Sequence, residues 1–231
     1  MKVEAPVVRP RFTTAILVVA FLLPNVGALF CGFVLDDLPV IVDNALLHSL
    51  GNLPEIWTSS YWPDRSGLTL YRPLTRTLWA AIWVASGGTA WVFHLVNLVL
   101  GACVVVLFQR LLLRAGVNEM VAFLTAFLFA LFPIHTEATT SIVGMAELLA
   151  AVLGLCALLL FVKGRRAWAL VFFALAVLSK ESAAALPAIA WLIATHPRRR
   201  YVPDGIVAAV IVGGVLLARR AVSAGEQFIP A

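Results

Sequence analysis

The chain has 231 residues, of which 62% are hydrophobic and only 13% charged. A water-soluble domain of this size carries about twice that charged fraction, so the composition excludes a soluble globular protein and implies an integral membrane protein. The formal charge of +5 is split among short basic clusters, which excludes a nucleic-acid-binding surface and makes membrane lipid the surrounding partner.

Lys2, Arg9 and Arg11 precede an apolar run from Thr13 to Leu35 that is long enough to cross a bilayer. Basic residues before a first span place residues 1–11 in the cytoplasm. Val26-Gly27-Ala28 resembles a signal-peptide cleavage site, but the run stays apolar up to Asp36, so residues 12–35 are expected to remain as the first span. It stops on two adjacent carboxylates, Asp36 and Asp37. Adjacent acids repel, which favours one of them keeping its proton to a higher pH, and a raised carboxyl suits a general base. A solvated helix end is the competing reading.

Residues 36–90 form the longest stretch without a span and are expected to be the first extracytoplasmic loop. Trp57, Trp62, Trp79, Trp83 and Trp91 lie at its far side, where indoles suit the membrane–water interface. Asn44–Leu50 and Leu53–Trp57 read as short amphipathic turns. Pro73–Ala85 sets Leu74, Leu78, Ala81, Ile82 and Ala85 on one stripe and predicts an interfacial helix. Arg72 and Arg76 are one turn apart, so both can point the same way and hold a phosphate or anionic lipid.

Six further runs, within residues 91–218, fall near 91–108, 117–132, 145–162, 167–179, 183–195 and 205–218. With the first they give an all-α polytopic bundle of about seven spans, and residues 219–231 become an extracytoplasmic tail. This topology puts eleven basic residues inside and six outside, in accord with the positive-inside rule. The acids sort the other way: Asp36, Asp37, Asp43, Glu55, Asp64, Glu137, Glu147, Glu181 and Glu226 fall at the outer face. Cys31, Cys103 and Cys156 have neither metal-site nor disulfide spacing and read as small core hydrophobes.

The outer boundary carries three more polar groups. His135 and Glu137 follow Pro133, where a helix N-terminus suits a carboxylate as well as a substrate does; one such pair is too little for a metal site, and no metal ligands are assigned. Glu147 lies within a turn of the start of an apolar helix, where anchoring and function both fit. Lys180 and Glu181 occupy a tight polar turn between two apolar runs. His94 and Asn97, three residues apart, read as a buried hydrogen-bonded pair.

In order, Asp36-Asp37, Tyr71-Arg72-Pro73-Leu74, Phe93-His94-Leu95-Val96-Asn97, Pro133-Ile134-His135-Thr136-Glu137-Ala138, Gly144-Met145-Ala146-Glu147-Leu148-Leu149 and Ser179-Lys180-Glu181 resemble the transmembrane, tetratricopeptide-repeat-containing O-mannosyltransferase family. That family belongs to the GT-C superfamily of polyprenyl-phosphate-sugar glycosyltransferases. The resemblance runs from about residue 30 to 195. It implies a GT-C-like bundle that moves a mannose-like sugar from a polyprenyl-phosphate donor to a hydroxyl of a protein or glycan acceptor, outside the cytoplasm. Asp36 or Asp37 would be the catalytic base; Arg72, Arg76 and Lys180 would meet the lipid phosphate, and His135, Glu137, Glu147 and Glu181 would help bind substrate. A divalent cation is optional, because the leaving phosphate is already anionic.

Two positions depart from the family pattern: Met145 stands where a basic residue is usual, and Phe132 where a histidine is common. Family members have further spans and helical repeats with no counterpart here, so the chain is expected to be an N-terminal fragment. A bacterial inner membrane with a periplasmic active face is the expected setting, with the lumenal face of the endoplasmic reticulum as the alternative. A flippase of lipid-linked sugars and a non-catalytic scaffold remain open as other functions.

Overall fold

The computed structural model describes residues 10–62, 70–193 and 202–226. Lys2, Arg9, Asp64 and the Arg198–Arg200 cluster lie outside the described residues. Among those described there is no strand; the fold is a helix bundle capped at one end by a folded loop.

Helix α1 (Pro10–Asn25) continues as a tighter 3-10 turn over Val26–Phe30. The helical part of the first run therefore stops five residues before Leu35. Leu17 and Phe21 are buried against α4 (Ala90–Arg114) and α5 (Glu119–Leu131). The approach is close because α4 offers Gly101 to the Phe21 ring; a Cβ there would come within 2.2 Å of it.

Helix α7 (Met145–Val162) and helix α8 (Arg166–Ser179) form an antiparallel pair. The turn between them is tight, and Gly164 supplies its left-handed backbone (φ 74). Among the described residues, four helical segments are long and apolar enough to cross a membrane: Thr13–Phe30, Ala90–Arg114, Ile142–Val162 and Val202–Ser223. A fifth arises if α5 and Pro133–Thr140, bent by 53°, count as one broken span. The chain is thus a multi-pass membrane protein. Leucines and valines left open on α5 and α10 (Val202–Glu226), such as Leu128, Val210 and Leu217, are suited to lipid tails.

The run predicted at 183–195 is not one helix. It folds as a 3-10 turn, Glu181–Ala185, followed by the seven-residue α9 (Leu186–Leu192). Pro187 lies in the first turn of α9, where its missing N–H costs nothing. Leu186 packs on Gly154 at mid-height of α7, while Trp191 shares a cavity with Phe161 and Arg166 at its far end. Arg166 also pairs with Asp204 at 3.3 Å. The starts of α8 and α10 are therefore level. The turn and α9 together cover roughly 20 Å, about the length of the fourteen-residue α8.

The cap is built from residues 31–62 and 70–89. After short turns at Leu38–Val42, Ala45–His48 and Leu50–Asn52 come α2 (Leu53–Ile56) and α3 (Pro73–Ser86). Pro73 presets the first turn of α3, and Gly87, left-handed at φ 65, ends it. Val40, Ile41, Leu47, Ile56, Trp79 and Met145 share one buried cluster. The stripe that α3 buries is not the predicted one. Thr75, Arg76, Trp79, Ala80 and Ile82 face inward, whereas Ala81 and Ala85 are exposed. Of the tryptophans, Trp79 belongs to this core, while Trp57 and Trp91 keep exposed edges. Cys31 and Cys103 are exposed too, so they are not core residues; they lie on outward faces.

Candidate functional site

The two adjacent carboxylates have opposite surroundings. Asp37 is fully buried. Its Oδ2 accepts the Val34 N–H at 3.1 Å, closing a turn, and its Oδ1 accepts the Val143 N–H at 2.9 Å, 106 residues away. Burial holds the Asp37 carboxyl above the usual range although hydrogen bonds from Val34 and Val143 pull it down. The raised acid expected from this pair is present, with desolvation as its main cause. Asp36 is exposed beside it. The turn that presents Asp36 includes Leu35 at φ 48, a conformation that costs a branched residue about 1 kcal/mol.

Gly144 makes the Asp37 contact possible. The 3-10 turn Ile142–Gly144 presses on helix α6 (Thr136–Thr140), and a Cβ on Gly144 would stand 2.5 Å from the Ala138 carbonyl oxygen. That close approach presents the Val143 N–H to Asp37.

His94 and Asn97, both fully buried near the start of α4, do not bond each other. His94 faces the backbone of Cys31 and Gly32 and lies close enough to Asp37 for their charges to interact. Asn97 Nδ2 donates to the Ser141 carbonyl at 2.9 Å. Both residues thus brace the two strands of backbone that Asp37 joins.

The other half of the site is a knot of charges. Arg72 precedes Pro73 and caps α3; its Nη2 and Nε donate to the two oxygens of Glu181 at 2.6 and 3.0 Å. The same guanidinium sits 5.0 Å from the centre of the Tyr61 ring, a cation–π distance. Lys180 forms an ion pair with Glu147 at the start of α7. Consecutive residues reach different neighbours because Lys180 is extended (φ −157°, ψ 139°), which sends successive side chains to opposite sides. Thr75 Oγ1 donates to the Ser179 carbonyl at 2.9 Å and fixes α3 to the end of α8.

Electrostatics tie the two halves together. Burial pushes the Tyr61 hydroxyl far up, and the charges of Arg72, Asp36 and Asp37 all act on it. Burial works against the charged form of Glu181, yet the Arg72 hydrogen bonds outweigh it and leave the carboxyl below its ordinary range. Arg72 also responds to Glu147. Asp36, Arg72, Glu147, Lys180 and Glu181 are therefore one neighbourhood assembled from four distant parts of the chain.

Three of the residues singled out from the sequence are placed otherwise. Arg76 does not present its guanidinium alongside Arg72: it is 1% exposed, and its Nη1 donates to the Ile56 carbonyl, the Ser59 carbonyl and Ser59 Oγ at 2.9 to 3.0 Å. It anchors the cap. His135 packs its ring against Phe129, centres 4.2 Å apart, and Glu137 is exposed on α6. Among the described residues no hydrogen bond or ion pair joins either to the charge knot, and no three His, Cys, Asp or Glu side chains gather to hold a metal. Tyr61 was not foreseen from the sequence, because nothing in Ser60-Tyr61-Trp62 sets it apart from the other aromatic residues of the loop.

Curated proteins carry the same stretch. The mouse protein O-mannosyl-transferase TMTC3 is 38% identical over 144 residues, 60% of this chain and 15% of that protein. Human TMTC3 is 34% identical over the same length and 16% of its own chain. The protein O-mannosyl-transferase F38B6.6 of Caenorhabditis elegans is 32% identical over 158 residues, 65% of this chain and 23% of the relative. Over this stretch the chain is similar to the TMTC O-mannosyl-transferases. The matched part spans about a sixth to a quarter of these relatives. No family model and no solved structure matches the chain. Of the two departures from the TMTC pattern, Met145 lies in the cap core and Phe132 is exposed at the end of α5.

Proposed function

We propose that this chain carries the membrane part of a GT-C-type glycosyltransferase. It moves a mannose-like sugar from a polyprenyl phosphate to a hydroxyl of a protein or glycan at the extracytoplasmic face. The carrying observation is the convergence of Arg72, Glu147, Lys180 and Glu181 beside an exposed Asp36, all at the end of the bundle opposite its basic clusters. The relatives, named as protein O-mannosyl-transferases, support a protein acceptor. Seven crossings are supported by the return of the chain between Lys180 and Leu192 and by the level starts of α8 and α10. The relatives are animal proteins, a source that supports the lumenal face of the endoplasmic reticulum over the bacterial alternative.

In this reading Asp36 is the base and Asp37 positions it. The acceptor O–H gives its proton to the Asp36 carboxylate as its oxygen bonds to the sugar C1. The bond from C1 to the phosphate oxygen breaks, and the phosphate leaves with the electron pair. The sugar passes through an oxocarbenium-like state, as in glycoside hydrolysis. Arg72 and Lys180 stabilise the growing negative charge; Glu181 and Glu147 hold these cations extended, so that little reorganisation is needed when the phosphate arrives. Asp37, tied to Val34 and Val143, keeps the turn that aims Asp36. Glu137, exposed on α6, and His135 line the side from which acceptor would approach.

The test is transfer of labelled mannose from polyprenyl phosphate to a serine- and threonine-rich peptide by the full chain in liposomes. Wild-type protein transfers label, and Asp36→Asn does not, though equally abundant and inserted. Unchanged transfer by Asp36→Asn would refute the assignment of the base; donor flipping without transfer by the wild type would replace the enzyme with a transporter.

A further inference from the structure

The charge knot uses one end of α7 and α8, the end at which α4 starts, with His94 beside Asp37 and Asn97 on the Ser141 carbonyl. The other ends of these three helices enclose a groove lined by Arg110 and Arg114 from α4, Lys163 just past α7 and Arg165 just before α8. All four are exposed, and the groove lining includes no aspartate or glutamate. Among the described residues none of the four has an ion pair or a side-chain hydrogen bond. Arg166, the next residue, is by contrast paired with Asp204. Helix ends account for part of this arrangement: Arg114 and Lys163 stand at C-termini, where the helix dipole favours a cation. Arg165 stands at an N-terminus, where the same dipole opposes it. Four cations with no counter-charge, one of them against a helix dipole, call for an external anion.

The floor of the groove decides which anion. Leu107, Leu159, Leu160 and Phe172, all half-buried, line the same groove as its apolar floor, and Trp168 joins them with 60% of its surface exposed. A soluble phosphate would use the cations and leave this apolar floor bare. An amphiphile satisfies both. Basic pockets between spans on the cytoplasmic side suit anionic lipid head groups, and arginine forks match phosphate oxygens in pairs.

We propose that this groove binds one anionic phospholipid of the cytoplasmic leaflet, with a phosphomonoester head group between Arg110, Arg114, Lys163 and Arg165 and an acyl chain along Leu159, Leu160 and Phe172. The surplus of positive charge favours a head group bearing more than one negative charge. The site is on the opposite side of the membrane from the proposed transfer chemistry and is independent of it.

Native mass spectrometry of the full chain tests this, with phosphatidic acid and phosphatidylcholine of identical acyl chains supplied together and glycerol 3-phosphate as a soluble competitor. The wild type retains one phosphatidic acid in preference to phosphatidylcholine, and glycerol 3-phosphate at equal concentration does not displace it. Arg110→Gln with Lys163→Gln weakens retention by about fivefold for each charge removed. Arg219→Gln with Arg220→Gln removes the same charge from α10 and leaves retention unchanged. Equal retention of the two lipids by the wild type overturns the proposal without reference to any variant. Displacement by glycerol 3-phosphate overturns it too, as does equal weakening by the α10 pair.

Discussion

The two ends of α4, α7 and α8 handle charge in opposite ways. At the end that carries Asp36, proposed above to face outward and so the outer end, three described cations have acceptors: Arg72 has Glu181, Lys180 has Glu147, and Arg76 has the backbone of Ile56 and Ser59. At the other end Arg110, Arg114, Lys163 and Arg165 share a groove without an acid. In the proposed orientation, ordinary topology bias explains a basic cytoplasmic end. It does not explain why Arg72, Arg76 and Lys180 should be fixed so rigidly at the other end. Held cations are the arrangement that a transition state needs, since their orientation is already set when charge develops. Loose cations suit a lipid that exchanges.

The sharpest way to break the comparison is at Asp36. Asp36→Asn is expected to lower sugar transfer by about 100- to 10,000-fold, the usual contribution of a general base, while phosphatidic acid retention at the far groove stays unchanged. Next comes Arg72→Gln, expected to cost roughly 100-fold or more in transfer, as the loss of a preorganised electrostatic donor does. Arg72→Lys should recover little of it, because a lysine cannot fill the two-oxygen fork with Glu181. Both are read as initial rates in liposomes.

Arg76→Met separates anchoring from chemistry. It strands the Ile56 and Ser59 carbonyls and should cost about 3 kcal/mol of stability, seen as a lower unfolding temperature in detergent.

A pH series then divides the outer end itself. Asp37 has a raised carboxyl, so its contribution to stability is full below the ordinary value of 3.8 and is lost as pH rises through its folded value. Glu181 has a lowered carboxyl, so its contribution is present above 4.5 and is lost as pH falls through its folded value. Asp37→Asn should flatten the neutral-side slope of the unfolding temperature, and Glu181→Gln the acid-side slope. The smallest effect belongs to the inner groove, where Arg110→Gln should change stability by less than about 0.5 kcal/mol.

Most of the helices were legible because apolar runs bounded by charges mark them, and α4, α7 and α8 fall where the runs do. Periodicity misjudged α3, since it assumes that an arginine faces outward. Arg76 is buried because carbonyls twenty residues earlier receive it, and no pattern within the helix encodes them. Asp36 and Asp37 were legible as a pair but not as two roles. The difference arises from Val143 and Gly144, more than a hundred residues downstream. Arg72 and Glu181 were each visible at the outer boundary; their pairing across 109 positions was not. His135 and Glu137 share a motif in sequence, but the bend between α5 and α6 turns the histidine back onto Phe129.

The extended backbone at Lys180 makes the outer end sensitive to length as well as to residue type. Its side chain serves α7, and the next one serves α3. Deleting Lys180 would bring a glutamate to face Glu147, and inserting one residue after Ser179 would turn a lysine toward Arg72. Either change creates like-charge contacts while leaving every side chain of the motif in the gene. The junction therefore works as a reading frame in space, tolerant of some substitutions but closed to insertions and deletions.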